Sequence, residues 1–189
     1  MTEAMAARTE IRLAGEGGQG MILAGIILAE AASIYDGKMA VQTQSYGPEA
    51  RGGASKSEVV IAAGEIDHPE VLSADVVVTL SQEAFDKYAG SVKAGGLLIV
   101  DSDAVHSIRM PDAVKIPISW LALQTTGRAI TANTVALGVL VGLTGVVSRG
   151  AIEKAVTARA PHGTEEMNRK ALEAGFEAAK LAQRKAVSG

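Results

Sequence analysis

The sequence predicts an α/β domain of Rossmann-like, three-layer type, with a mostly parallel sheet and a helical C-terminal third. Three observations point there. A short apolar strand, Glu10–Ala14, runs straight into Gly15-Glu16-Gly17-Gly18-Gln19-Gly20 and then into the apolar helical segment Met21–Tyr35. Ala74–Leu80 (ADVVVTL) is an unbroken β-branched run of the kind covered on both faces in a parallel sheet. From Asn133 onward the pattern is helical, and abundant alanine with only 3% aromatics implies closely packed helices rather than an all-β core.

Along the chain, Asp36-Gly37 ends the first helix with turn chemistry, and Lys38–Gln44 reads as a second strand, completing a strand–helix–strand unit. Ser45–Gly53 (SYGPEARGG) is too rich in glycine, with Pro48 inside it, for regular structure. Ser57–Ala63 resumes as a strand, and Gly64-Glu65 is suited to a tight turn. After Ala74–Leu80, Ser81 can cap a helix over Gln82–Tyr88. Gly95-Gly96 precedes a buried strand, Leu97–Asp101. Val114–Ile118 is a weaker strand, because Pro117 removes a ladder donor and favours an edge. Asn133 or Thr134 starts a helix through Val147. Ser148 can cap a second one, Arg149–Ala160, and Thr164-Glu165-Glu166 opens a long third one to about Lys185. In that last helix Met167, Ala171, Ala174, Ala178 and Ala182 form the expected inward stripe, and Glu165–Arg169 and Glu166–Lys170 the expected surface pairs.

With 189 residues the chain is read as one domain, 1–189, with its core at about 10–180. Lys and Arg number 18 against 21 Asp and Glu, so the net charge of −3 makes no electrostatic case for nucleic acid. Cysteine is absent, which excludes disulfides, a thiol nucleophile, Cys-ligated zinc and an iron–sulfur cluster on this chain. His68, His106 and His162 lie far apart, so no metal site is expected from them. Met1–Glu10 has no apolar signal core. The runs Met21–Ile34 and Val135–Val147 fall short of the ~20 residues a spanning helix needs. A cytoplasmic protein without membrane contact is the expectation.

Two loops carry the chemistry. Gly15-x-Gly17-x-x-Gly20 sits between strand and helix, where glycines permit a sharp turn and let an anion approach the free amides of a helix N-terminus. Three readings stay open: a nicotinamide site, an anion site for another phosphate ligand, and glycines needed only for turning and packing. Against the first, the second strand ends in Thr43-Gln44-Ser45 with no acidic residue for a ribose, Asp36 lies before that strand, and Glu16 puts negative charge in the loop. In the second loop, Arg51 beside Gly52 and Gly53 can present a guanidinium to a carboxylate or phosphate, or can brace Glu49 or Glu16 internally. Ser45, Tyr46, Glu49, Arg51 and Gly52 therefore join Gly15, Gly17, Gly18, Gln19 and Gly20 as the candidate binding residues. Asp101 and Asp103 fit a turn or cap better than magnesium. Gly138-x-x-x-Gly142 allows close helix contact in the core or at a subunit interface. No nucleophile–base pair, carboxylate dyad or Ser-His-Asp set can be assembled, so no catalytic residue is assigned.

GEGGQGMILAGIILAEAA (15–32) followed by VQTQSYGPEARGGASKSEVVI (41–61) resembles the gamma subunit of 2-oxoacid:ferredoxin oxidoreductases. The likeness continues through ADVVVTLSQEAFDKY (74–88), GGLLIVDS (95–102), Asn133 with Gly138, and Asn168-x-x-Ala171-x-x-x-Gly175, so it spans roughly residues 10–180. This resemblance implies an enzyme subunit that is not catalytic alone. The assembly would decarboxylate a 2-oxoacid oxidatively, join the acyl group to coenzyme A and pass electrons to ferredoxin. Thiamine diphosphate and the iron–sulfur clusters would lie on partner subunits: alpha and beta, with a delta chain as a further candidate. The resemblance gives the glycine turn and the SYGPEARGG loop a task in docking coenzyme A or a partner. The wording TQSYGPEARGGASKSEV is most like the 2-oxoglutarate branch. Indolepyruvate or pyruvate oxidoreductase small subunits are the alternative, and a stand-alone Rossmann nucleotide-binding protein is the alternative of another class. An isolated gamma chain would expose a face its partners cover and self-associate as a homo-oligomer.

Overall fold

The computed structural model describes residues 8–45 and 53–188. Its first half comprises β1 (Arg8–Glu16), α1 (Met21–Glu30) continued by a π-helical turn Ala31–Tyr35, β2 (Met39–Ser45), β3 (Ala54–Ala62), β4 (Ala74–Thr79) and α2 (Gln82–Tyr88). The second half follows with β5 (Val92–Asp101), β6 (Val114–Ile116), α3 (Ile118–Thr126), α4 (Ala132–Thr144), α5 (Arg149–Arg159) and α6 (Glu165–Ser188).

One six-stranded sheet of order β2-β3-β1-β4-β5-β6 collects the β-branched runs. β1, β4, β5 and β6 are parallel neighbours, while β3 lies antiparallel between β1 and β2. Every strand but β3 thus points the same way, and the expected mostly parallel α/β architecture holds. The strand–helix–strand unit differs in one respect: β2 is not beside β1. Burial explains the exchange. β3 carries an almost fully buried run, ASKSEVVIA, and takes the interior position. β2, MAVQTQS, has no fully buried residue and is left at the edge.

The sheet's two faces are covered unequally. On one, Ile11, Leu13, Val59, Ile61, Val76, Val78 and Ile99 pack under α1, α4 and α5 in the main core. On the other, Val60, Val77, Leu98 and Val100 meet Phe85 and Ala89 of the short α2 and its continuation, with Val71 and Val105 from loops. α4 is buried almost all round, from Ala132 to Val141. Full burial of one such aliphatic side chain stabilises the fold by about 1.5–3 kcal/mol, so this helix is the hub of the C-terminal third.

Several local expectations hold. Ser81 and Ser148 cap α2 and α5, accepting from the amides of Ala84 and Ala151. β6 is an edge strand that stops before Pro117. Others are corrected. Ile118 begins a helix rather than ending a strand. The inward stripe of α6 is rotated: Ala171 is buried, but Leu172, Phe176 and Ala179 share the core with it, whereas Met167, Ala174, Ala178 and Ala182 are half-buried. The ion pairs differ as well, with Arg169 held by Glu166 three residues before it. Gly138 and Gly142 are not a free small-residue face. A Cβ on Gly138 would stand 2.3 Å from the Leu172 carbonyl oxygen, and one on Gly142 2.7 Å from the Ala179 Cβ. They let α4 and α6 cross in near backbone contact inside the core.

Candidate functional site

The C-terminal ends of β1 and β2 open on one edge of the sheet, because the start of β3 pairs with both: Ala54 with Glu16, and Lys56 with Ser45. The turn leaving β1 closes through the Gln19 amide, which donates to the Glu16 carbonyl at 3.1 Å. Gly18 sits third in that turn at φ 93°, a conformation that favours glycine. Gly20 then enters α1 at φ 76°.

The four glycines divide by role. A Cβ on Gly15 would lie 2.6 Å from Gln19 Oε1, and one on Gly20 2.6 Å from Asn133 Nδ2, so both are occupied by the protein's own packing. Gly17 and Gly18 face open space. Gln19 is a clamp: its side-chain nitrogen donates to the Leu80 carbonyl at 2.9 Å, and its oxygen accepts from the Glu16 amide at 2.7 Å. The side chain thereby ties the ends of β1 and β4. The first-turn amides of α1 lack intrahelical partners by geometry, and no acidic residue stands among them. Glu16 is exposed beside them. Ser45 is the exposed last residue of β2, whereas Tyr46, Glu49, Arg51 and Gly52 lie outside the described residues.

Asn133, which joins α4 to this turn, was not among the candidate binding residues. Its side-chain nitrogen donates to the Gly20 carbonyl at 3.3 Å, and its oxygen accepts from the Thr134 amide at 2.8 Å. Thr134 donates onward to Asn168 of α6, whose amide nitrogen donates to the Thr164 carbonyl. A polar chain thus runs from the glycine turn to the start of α6. The signal was an Asn-Thr pair opening an otherwise apolar helix.

Asp101, at the end of β5, is fully buried. It accepts from the Asp103 amide and from both the amide and hydroxyl of Ser119 in the first turn of α3. Burial raises its carboxyl above the ordinary value near 3.8, against the lowering effect of the Ser119 and Asp103 hydrogen bonds. It caps the first turn of α3, and no group of three or more potential ligands occurs among the described residues. Asp36, the other acid weighed for a ribose, accepts from the Ser148 amide and hydroxyl, both at 2.6 Å. The geometry of a dinucleotide site is missing for a further reason. In such sites the second strand neighbours the first, and here β3 separates them.

The profile of the pyruvate ferredoxin/flavodoxin oxidoreductase family matches residues 10–178. The chain belongs to that family. Within it, the chain is 53% identical to the 2-oxoglutarate synthase subunit KorC of Methanocaldococcus jannaschii, over 92% of this chain and 95% of the relative. It is 32% identical to the pyruvate synthase subunit PorC of Methanothermobacter thermautotrophicus, over 89% and 94%. The crystal structure of a keto/oxoacid ferredoxin oxidoreductase gamma subunit from Geobacter sulfurreducens superposes with a TM-score of 0.85 at 54% identity, covering 94% of this chain and 99% of that one. The gamma-subunit resemblance carried by the two glycine-rich stretches is borne out, and so is the Rossmann-like fold it implied. Among the described residues no helix is long and apolar enough to cross a membrane.

Proposed function

We propose that this chain is the gamma subunit of a cytoplasmic 2-oxoglutarate:ferredoxin oxidoreductase. In that assembly, alpha and beta partners, with or without a delta chain, carry the thiamine diphosphate and iron–sulfur clusters and deliver electrons to ferredoxin. One observation carries the choice of substrate: identity stands at 53% to a 2-oxoglutarate synthase subunit but 32% to a pyruvate synthase subunit over nearly the same length. The choice rests on likeness to relatives, since no residue described here is assigned to the distal carboxylate. The test is reconstitution with the partner subunits, followed by dye reduction with 2-oxoglutarate, pyruvate, 2-oxoisovalerate and indolepyruvate. The expected result is a kcat/KM for 2-oxoglutarate at least ~10-fold above the others, a margin of about 1.4 kcal/mol. Preferred turnover of pyruvate or indolepyruvate would overturn the assignment.

Within the complex the glycine turn is the place for coenzyme A. Gly17 and Gly18 leave the backbone open to a phosphate, and the N-terminus of α1 points free amides at the same spot. Gly15, Gln19 and Gly20 shape that turn from behind. Ser45 ends β2 at this edge, and Tyr46, Glu49, Arg51 and Gly52 follow it in sequence. Arg51 supplies the cation in this reading. Arg51→Ala and Gly17→Ala are expected to raise the KM for coenzyme A without lowering the melting temperature of the isolated chain. Unchanged KM values in both variants would count against the site, and a large loss of melting temperature in Arg51→Ala would make Arg51 an internal brace.

A further inference from the structure

The outer face of α3 combines exposed apolar side chains with an absence of carboxylates. Residues 113–152 contain no Asp or Glu, while Lys115, Arg128 and Arg149 are cationic. α3 itself, ISWLALQTT, is uncharged. It buries Ile118 and Ala122 and turns Trp120 (49% exposed) and Leu123 (50%) outward, three residues apart on one face. Ile130, in the turn that follows, is 56% exposed. By contrast, α6 clothes its outer face in Glu166, Arg169, Lys170, Glu173 and Glu177, as a solvated helix does. A lone exposed apolar residue needs no explanation, but the chain's one tryptophan beside a leucine on an uncharged helix does.

Hydrogen bonds tie this segment to the rest of the fold. Ser119 is bound to the buried Asp101, Thr126 and Thr131 share a hydroxyl–hydroxyl bond of 2.8 Å, and Asn133 holds the Gly20 carbonyl. Both ends are therefore anchored at the sheet edge where the glycine turn lies. Preformed apolar anchors of this kind, tryptophan above all, concentrate binding energy at protein interfaces.

We propose that the Trp120–Leu123 face, with Ile130, docks a partner subunit whose surface is apolar at its centre and carries carboxylates at its rim, opposite Arg128 and Lys115. The proposal rests on the subunit reading above. Its argument is charge: neither Arg128 nor Lys115 has an ion-pair partner among the described residues. A second copy of this chain is a poorer occupant, because two-fold pairing would bring these cations against their own kind with no acid from residues 113–152 to answer them. Docking here sets the neighbouring glycine turn in the seam between subunits.

The experiment co-expresses the full chain with its partner subunits and compares three forms with wild type: Trp120→Gln with Leu123→Gln, Arg128→Glu, and Leu181→Gln as a control on the exposed face of α6. Assembly is read from the dissociation constant at two salt concentrations, and folding from the melting temperature of the isolated chain. The double variant is expected to weaken assembly at least tenfold, and Arg128→Glu to weaken it and flatten its salt dependence. Leu181→Gln should assemble as wild type does. If the double variant loses melting temperature, Arg128→Glu at its exposed site still decides. Assembly that ignores the double variant and Arg128→Glu, in a complex that still oxidises 2-oxoglutarate, overturns the docking face and leaves the subunit reading standing. An isolated dimer dissolved by the double variant assigns the face to a second copy and overturns the proposal. A wild-type chain that recovers no partner removes both readings.

Discussion

Glycine substitutions separate scaffold from surface at the β1–α1 turn. Gly20→Ala would place a methyl group against Asn133 at a left-handed φ. The expected cost is ~2 kcal/mol or more from the backbone and from hydrogen bonds of Asn133, read as a fall in melting temperature. Gly17→Ala meets nothing within 4 Å and has no positive φ, so its stability should stay within about 0.5 kcal/mol of wild type. Asp101 gives a pH signature. Because burial raises its carboxyl in the folded chain, the folded state holds that proton more tightly than the unfolded state does. Stability from this group therefore falls as pH rises from below the unfolded value through the folded one. Asp101→Asn removes that slope, so its melting temperature should gain on wild type from acid toward neutral pH. A pH-independent offset between the two would contradict the assignment. The glycines themselves were legible in sequence, because their spacing between strand and helix has few physical meanings. Their division was not: Gly20 is enclosed by Asn133, which lies more than a hundred positions away, and Gly15 by a Gln19 side chain whose placement depends on the distant Leu80 carbonyl.

At the level of elements, the α4–α6 crossing is the most demanding contact. Gly138 approaches Gly175 so closely that a Cβ on Gly138 would lie 2.9 Å from the Gly175 Cα. Gly138→Ala must push the two helices apart, and overpacking of this kind typically costs about 1–3 kcal/mol; a melting temperature equal to wild type would show that the helices separate without strain. The small-residue spacing announced a close contact, and only the folded chain identifies its partner as α6. α3 was missed for a related reason. No Ser, Thr, Asp or Asn stands just before it and no acidic residue opens its first turn, because its cap, Asp101, comes from another strand. The edge strand β2 carries no charge, and Met39, Ile34 and Tyr35 near it are exposed. An uncharged edge invites pairing, so the isolated chain is expected to self-associate there, and Gln44→Lys to reduce it. Light scattering showing a strict monomer at ~100 µM, where a micromolar contact would be filled, would rule that out.

For the whole molecule, the absence of cysteine predicts that the purified chain shows no cluster absorbance in the visible range and no 2-oxoacid turnover with a dye acceptor. Activity of the chain alone would refute the subunit reading. Fold class was readable because β3 and β4 carry β-branched runs, the glycine turn joins a strand to an apolar helix, and α5 and α6 are amphipathic. Strand order was not readable, since the exchange of β2 and β3 depends on relative burial rather than on any local pattern. That exchange reaches into the order of folding. The parallel pairs β1–β4, β4–β5 and β5–β6 are joined through residues 17–73, 80–91 and 102–113, whereas the antiparallel pair β2–β3 is joined through the shorter stretch 46–53. Loop closure then favours β2–β3 as the first native ladder. β1, although synthesised earlier, completes its half of the sheet only by adding to a ribbon already formed, so the glycine turn at its end takes shape late.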